Sequence, residues 1–411
     1  MSVSSRNFRG ISTLALLIFS LLGGCGGNGA SPAGLTLLVQ PDDGRAPILA
    51  AIQGASDNIR LTIYQLTDLQ SVSQSPAAPA DSIAQALIDK AQSGVSVKVI
   101  VDQGQYGAGS NATPIQQTVA ALRSVGVAVK LSNSVFCFTH QKTLVIDAPT
   151  PARPDLAGTA IIMSFNLMPG YFGGTRDYAV LTHDSSMVRE ISQVFDSDLA
   201  LPLASSSCRY ANTPATTHAP PEASDTPVLS NSALLWSPVN AKPKLQALIG
   251  SVKQSLVLTS EELVDPDMVC QIRALALSSA KPTIRLLLPN DSGANASGVK
   301  TLLDLGLTNL SIRVMPGQPL KPDASLPQTP LYMHGKQAIA DGQLAFVGSE
   351  NLTNTSLLQN RELGIVFDDS AMIARLQAVF ERDFSSPDQS LPATACTSNS
   401  GCTTIVCPQL H

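Results

Sequence analysis

Two histidines hold the most legible chemistry in this sequence. His140 and Lys142 sit in THQKTLVID, which closes on Asp147, and His334 and Lys336 sit in MHGKQAIAD, which closes on Asp341. A chain of 411 residues with only five histidines spends two of them on one spacing, so the spacing asks for a shared task. The apolar residues around both stretches favour strands, where side chains two apart share a face. Imidazole and ammonium therefore point together in each copy. The aspartates have the opposite parity and, at ~3.3 Å per residue, lie roughly 23 Å along the strand from their own histidines. Asp147 and Asp341 are read as structural, holding a strand end or turn.

A second pattern follows each of the first. MSFN presents Ser164 and Asn166, GSEN presents Ser349 and Asn351, and further on stand Arg176-Asp177 and Arg361-Glu362. Brought together, the two sets make a pair of imidazoles flanked by ammonium and amide groups. Such a cavity suits a phosphodiester: the cations and amides take the non-bridging oxygens, while a nucleophile and an acid stand on opposite sides for in-line displacement. A metal fits poorly, because each motif histidine has a lysine alongside that would repel a dication. His183 aligns with Asp368, His218 lies in a Pro/Thr-rich stretch and His411 is terminal, so none joins the motif set. Tyr171 and Phe172, in MPGYFGGT, either line the substrate entrance or pack their own loop. Trp236 is assigned to the core.

The doubled HxKxxxxD, each followed by a GSxN-like stretch, resembles the phospholipase D superfamily, and HGKQAIADGQLAFVGSEN fits its pattern throughout. The resemblance implies that one histidine attacks phosphorus to form a phosphohistidine. The other protonates the leaving alcohol and then activates water, with no metal or other cofactor. It assigns His140 as nucleophile and His334 as general acid/base, an order that the near-symmetry of the motifs leaves open. Lys142, Lys336, Asn166 and Asn351, with Ser164 and Ser349, would hold the phosphoryl oxygens. Asp177 and Glu362 take the places of acids that orient a histidine, fixing its tautomer and raising its pKa while the lysines lower it. The two imidazoles are then expected to titrate as a coupled pair. The first copy departs from the pattern: Met163 replaces the glycine, where a larger residue would crowd the oxygen-binding loop, and APTPARPDLAG is inserted after Asp147.

The elements that must position these groups repeat as well. AAIQGASDNIRLTIYQL resembles ALIGSVKQSLVLTSEEL, and GVSVKVIVD matches KPTIRLLLP. From Asn166–Asp198 and Asn351–Asp383 the two halves align without a gap, setting Arg176 over Arg361, Asp177 over Glu362 and Asp198 over Asp383. Strands alternating with helical patterns place each half in the α/β class, a mixed sheet flanked by helices, with the halves related by a pseudo-twofold axis. The expected organisation is a signal peptide at 1–24, a flexible tether at 25–35, a first domain at 36–202, a linker at 203–230, a second domain at 231–388 and a Cys-containing tail at 389–411. Arg6 and Arg9 precede ISTLALLIFSLL, an apolar run too short for the roughly 20 residues of a bilayer span. LGGC resembles the bacterial lipobox, which implies a lipidated Cys25 and a chain anchored in the cell envelope, facing the periplasm or at the outer membrane. Cys137, Cys208, Cys270, Cys396, Cys402 and Cys407 then form an even set in an oxidising compartment, and Cys402 with Cys396 or Cys407 could staple the tail.

Composition narrows the partner. The chain carries 26 Lys and Arg against 31 Asp and Glu, and only 4% of its residues are aromatic. A net acidic chain poor in stacking groups is ill suited to nucleic acid. The reading that results is a monomeric phospholipase D-like phosphodiesterase at a membrane surface, hydrolysing glycerophospholipids to phosphatidic acid and a free head group. The alternatives are phosphatidyl transfer of the cardiolipin-synthase type, a nuclease, or a lipoprotein scaffold without chemistry.

Overall fold

A computed structural model describes residues 34–67, 82–109, 111–201, 208, 229–290, 293–320, 328–394 and 403–408. The signal segment, Cys25, most of the tether and linker, Cys396 and Cys402 lie outside them. The first half contains β1 (Leu35–Gln40), α1 (Ala46–Gly54), β2 (Asn58–Ile63), α2 (Ile83–Gln92), β3 (Ser96–Val101), α3 (Gln103–Ala108) and α4 (Ala112–Ser124). It continues through β4 (Ala128–Leu131), β5 (Thr143–Ile146), β6 (Thr159–Met163), α5 (Tyr171–Gly174), β7 (Thr175–Thr182) and α6 (Ser185–Ala200). The second half repeats the series with β8 (Leu234–Ser237), α7 (Ala241–Ser251), β9 (Ser255–Thr259), α8 (Pro266–Leu277), β10 (Thr283–Pro289), α9 (Ala296–Leu303) and β11 (Leu310–Met315). Then come β12 (Tyr332–Met333), β13 (Lys336–Ala340), β14 (Leu344–Gly348), α10 (Asn354–Leu358), β15 (Glu362–Phe367), α11 (Ser370–Ser385) and β16 (Leu391–Pro392).

Each half builds one mixed sheet. The orders are β1-β7-β6-β5-β2-β3-β4 and β8-β15-β14-β13-β9-β10-β11, the second extended by β16. The β2-β3-β4 and β9-β10-β11 runs are parallel; the remaining pairings along both orders are antiparallel. β2, NIRLTI, is buried along its whole length, as expected of a central strand covered on both faces. Equivalent aspartates start equivalent helices: Asp184 accepts from Met187 N at α6, and Asp369 accepts from Met372 N at α11.

Two outer cores pack helices onto the far face of each sheet, with α1, α2 and α4 in the first half and α7, α8 and α9 in the second. A third core lies between the sheets, where Val145, Ile162 and Val180 meet Val257, Val347 and Ile365. Trp236 is fully buried there and donates from Nε1 to Glu190 at 2.9 Å. The halves also exchange backbone at their seam. β12 pairs in parallel with Thr175 and Arg176 of β7, and Thr139 bridges to Arg361 in the mirrored position.

The tail does not staple itself through Cys402 and Cys407. Cys407 pairs with Cys270 on α8, because β16 joins β11 and Ile405 N donates to Thr301 Oγ1 on α9, which lays the tail along the second domain. Cys137 pairs with Cys208. Asp147 and Asp341 hold the strand ends. Asp147 accepts the amides of Ser56, Asp57 and Asn58, and Asp341 those of Lys253, Gln254 and Ser255. Both sit at positive φ, 49° and 54°, a left-handed turn that aspartate tolerates better than most residues.

Candidate active site at the seam of the two halves

His140 and His334 line one cleft of about 340 Å³. Neither lies within a sheet strand. His140 follows the Thr139 bridge and precedes β5, while His334 falls between β12 and β13. Each histidine thus leaves a short pairing with the opposite half just before its own sheet begins, and that exchange brings the two rings together.

The carboxylates cross the seam too. His140 Nδ1 is 2.8 Å from Glu362 Oε2, and His334 Nδ1 is 2.8 Å from Asp177 Oδ1. A carboxylate only accepts, so Nδ1 carries the proton in both rings and Nε2 is the reactive nitrogen. Each acid lies at the start of a strand of one half and serves the histidine of the other. Burial pushes the His140 imidazole down to about 4; Glu362 opposes the shift and Lys142 adds to it. Burial alone would raise Glu362, yet the charge and hydrogen bond of His140, with Lys142, hold its carboxyl below the usual range. Ser356 Oγ and Asn360 Nδ2 also donate to Glu362 Oε1, at 2.8 and 3.1 Å.

The lysines are buried beside their histidines. Lys142 Nζ donates to the His140 carbonyl and Lys336 Nζ to the His334 carbonyl, each at 2.5 Å. Lys142 also lies 5.2 Å from the centre of the Tyr64 ring. Burial lowers Lys142 to about 7 despite the opposing charge of Glu362. Asn166 and Asn351 line the cleft, and Asn166 Nδ2 donates to the Tyr171 hydroxyl at 3.1 Å. Tyr171 is therefore a wall of the cleft, its ring edge-on to His334 at 4.9 Å, whereas Phe172 packs against Phe165.

Two expectations need correction. Ser164 and Ser349 are fully buried and do not face the cleft. Ser164 Oγ donates to Asp177 Oδ1 at 2.6 Å and accepts from Tyr178 N, and Ser349 Oγ accepts from Leu363 N at 3.1 Å. Both serines lie just past the ends of β6 and β14, where strict alternation no longer holds, and Ser164 braces the orienting acid while Ser349 braces its strand. Met163 does not crowd the oxygen-binding loop, since it is buried in the first outer core. Glycine is needed at 348 because a Cβ there would fall 2.2 Å from Glu350 Oε2; at the matching place the first half has Phe165. The insertion after Asp147 joins β5 to β6 at the ends remote from His140 and Ser164.

Sequence reasoning passed over Glu261. Its Oε2 lies 2.9 Å from Lys336 Nζ and 3.4 Å from His334 Nε2. Burial would raise this carboxyl, but Lys336 and His334 hold it far below the usual range. The signal was available: SEEL aligns with IYQL, so a glutamate stands where the first half has Tyr64, just past the carboxyl end of a parallel strand, a usual place for ligand-facing residues.

The arrangement is one cleft furnished by both halves of a duplicated α/β fold. The family described as "Cardiolipin synthase, PLD-like domain" matches residues 48–199 and 245–384, well over half of the chain. The chain belongs to that family, within the phospholipase D superfamily. Among solved structures, it is similar to a polyphosphate kinase from Porphyromonas gingivalis, with a TM-score of 0.59 and 16% identity over 87% of this chain. It spans only 48% of that protein. It is also similar to a phosphatidylserine synthase from Haemophilus influenzae, with a TM-score of 0.58 and 14% identity over 88% of both chains. At these identities the likeness speaks for the fold alone. No curated protein matched the chain.

Proposed function

We propose that this protein cleaves glycerophospholipid phosphodiesters through a covalent phosphohistidine, releasing the head-group alcohol and, with water as acceptor, phosphatidic acid. The observation that carries the reading is the pair of crossed histidine–carboxylate contacts on one cleft. His140, kept neutral by burial, presents the Nε2 lone pair and is assigned the attack on phosphorus. His334 faces the same cleft from the other half, its Nδ1 held by Asp177 at 2.8 Å and its Nε2 directed into the cleft, and is assigned the acid. The His140 Nε2–P bond forms as the P–O bond to the head group breaks, and that oxygen takes the proton from His334 Nε2. Water then attacks phosphorus from the vacated side and gives its proton to His334, and the P–N bond breaks. Lys142, Lys336, Asn166 and Asn351 hold the non-bridging oxygens throughout. Anchorage through Cys25 would keep the site near its substrate.

The test is head-group release from phosphatidylcholine, phosphatidylethanolamine and phosphatidylglycerol by the folded, purified protein. Release from at least one, abolished by His140→Ala, is the expected result; none from all three rejects the reading. The family match favours a second acceptor, an alcohol in place of water. Added glycerol or phosphatidylglycerol would then yield transfer products at the expense of phosphatidic acid.

A further inference from the structure

Glu261 breaks the symmetry of the cleft. Besides its contacts with Lys336 and His334, its Oε2 accepts from Asn351 Nδ2 at 3.4 Å, while Oε1 accepts from the Tyr332 hydroxyl at 3.0 Å. Lys336, Asn351 and His334 are the groups assigned to phosphorus and its oxygens in the second half. One carboxylate oxygen therefore rests where a phosphoryl oxygen has to go. A phosphodiester that engages Lys336 and Asn351 must take them from Glu261 and leaves a mostly buried carboxylate facing a second anion.

Two like charges at such range repel strongly in a site shielded from water. The walls of the cleft do not relieve them. Among the described residues that line it are the carboxylates of Glu261 and Glu262 and no arginine or lysine; Lys142 and Lys336 reach in beside the histidines and, once substrate is bound, are committed to the phosphoryl oxygens. The cation that Glu261 loses when Lys336 turns away has to be replaced from the ligand. Tyr64 and Phe138, edge to face at 6.1 Å, add ring surface to the same cleft and would favour a cation there.

We infer that Glu261 selects phosphodiesters whose alcohol carries an ammonium group. As Lys336 turns to the phosphoryl oxygen, the ammonium replaces it beside Glu261. Phosphodiesters with an uncharged alcohol leave Glu261 unpaired and are disfavoured. The inference rests on the phosphodiesterase reading and names its substrate class.

The experiment compares kcat/KM for phosphatidylethanolamine and phosphatidylglycerol in mixed micelles, using the full protein and its E261Q and E261D variants. The native protein is expected to favour the amine lipid by at least about tenfold. E261Q should bring the ratio close to one, lowering the amine rate and raising the glycerol rate, while E261D, which keeps the charge, keeps the preference. Equal rates in the native protein overturn the inference and leave the phosphodiesterase reading standing. So does an E261Q variant that loses both activities in proportion, which would make Glu261 a support for the fold or for Lys336. Titration calorimetry with glycerophosphoethanolamine and glycerophosphoglycerol separates the remaining case. If folded protein cleaves neither lipid, the phosphodiesterase reading falls, and ammonium selection survives only if the amine ligand still binds more tightly.

Discussion

Glu362 and His140 form a contact whose value lies in the tautomer it fixes. With Nδ1–H held by a carboxylate, the reactive lone pair is on Nε2 and faces the cleft. Glu362→Gln keeps the shape and loses the charge that steadies the imidazole as it attacks, so kcat should fall about 10²- to 10⁴-fold with little change in melting temperature. Steady-state kinetics beside thermal unfolding check this. The pH profile follows from two groups. His140 must be neutral, so kcat/KM rises as pH climbs through about 4; Lys142 must be charged, so it falls as pH climbs through about 7. Lys142→Arg should move the falling limb upward, since a guanidinium stays charged. A limb that stays in place would show that Lys142 does not set it. At this scale the motif histidines, lysines and asparagines were legible, because chemistry restricts residue type and spacing repeats it. Glu261 and the bracing role of the serines were not, for a spacing does not say which face of a strand meets the cleft.

The strands that hold the site are fixed from their far ends. Asp341 gathers three amides in the turn that closes β13, and Asp147 does so for β5. Asp341→Ala strips those amides of their acceptor and leaves a positive φ that alanine resists. The expected loss is about 2–3 kcal/mol, read from the urea midpoint, while kcat of the folded fraction stays within about twofold. A large fall in kcat at full stability would place Asp341 nearer the chemistry than its turn allows. The motif aspartate was legible as structural because parity and distance along the strand separated it from its histidine. Met163 was misjudged because the crowding at 348 comes from Glu350, which the first half replaces with Phe165, and from the Gly364 Cα on the neighbouring strand, 2.7 Å from where a Cβ would fall, which the spacing within the motif does not reveal.

The halves are clamped by the residues that the repeat aligned. Arg176 makes a two-pronged pair with Asp383 at 2.5 and 3.1 Å, and Arg361 reaches Asp198 at 2.7 Å. The aligned residues were visible in the sequence; that each pairs with the opposite half was not, since an alignment states equivalence and not partnership. Asp383→Ala leaves a buried guanidinium without its main partner and should cost about 3–5 kcal/mol, seen as a lower denaturant midpoint. Because both histidines draw their carboxylates from the other half, loosening the clamp should also slow the chemistry. The central claim is that the seam makes one site with His140 as its nucleophile. Mass-spectrometric mapping of the covalent adduct in His334→Ala, after reaction with a p-nitrophenyl phosphodiester whose leaving group needs no acid, tests it most directly. A stoichiometric burst of nitrophenol with the phosphoryl adduct on His140 is the predicted result; a burst with the adduct elsewhere, or steady turnover with none, would contradict it.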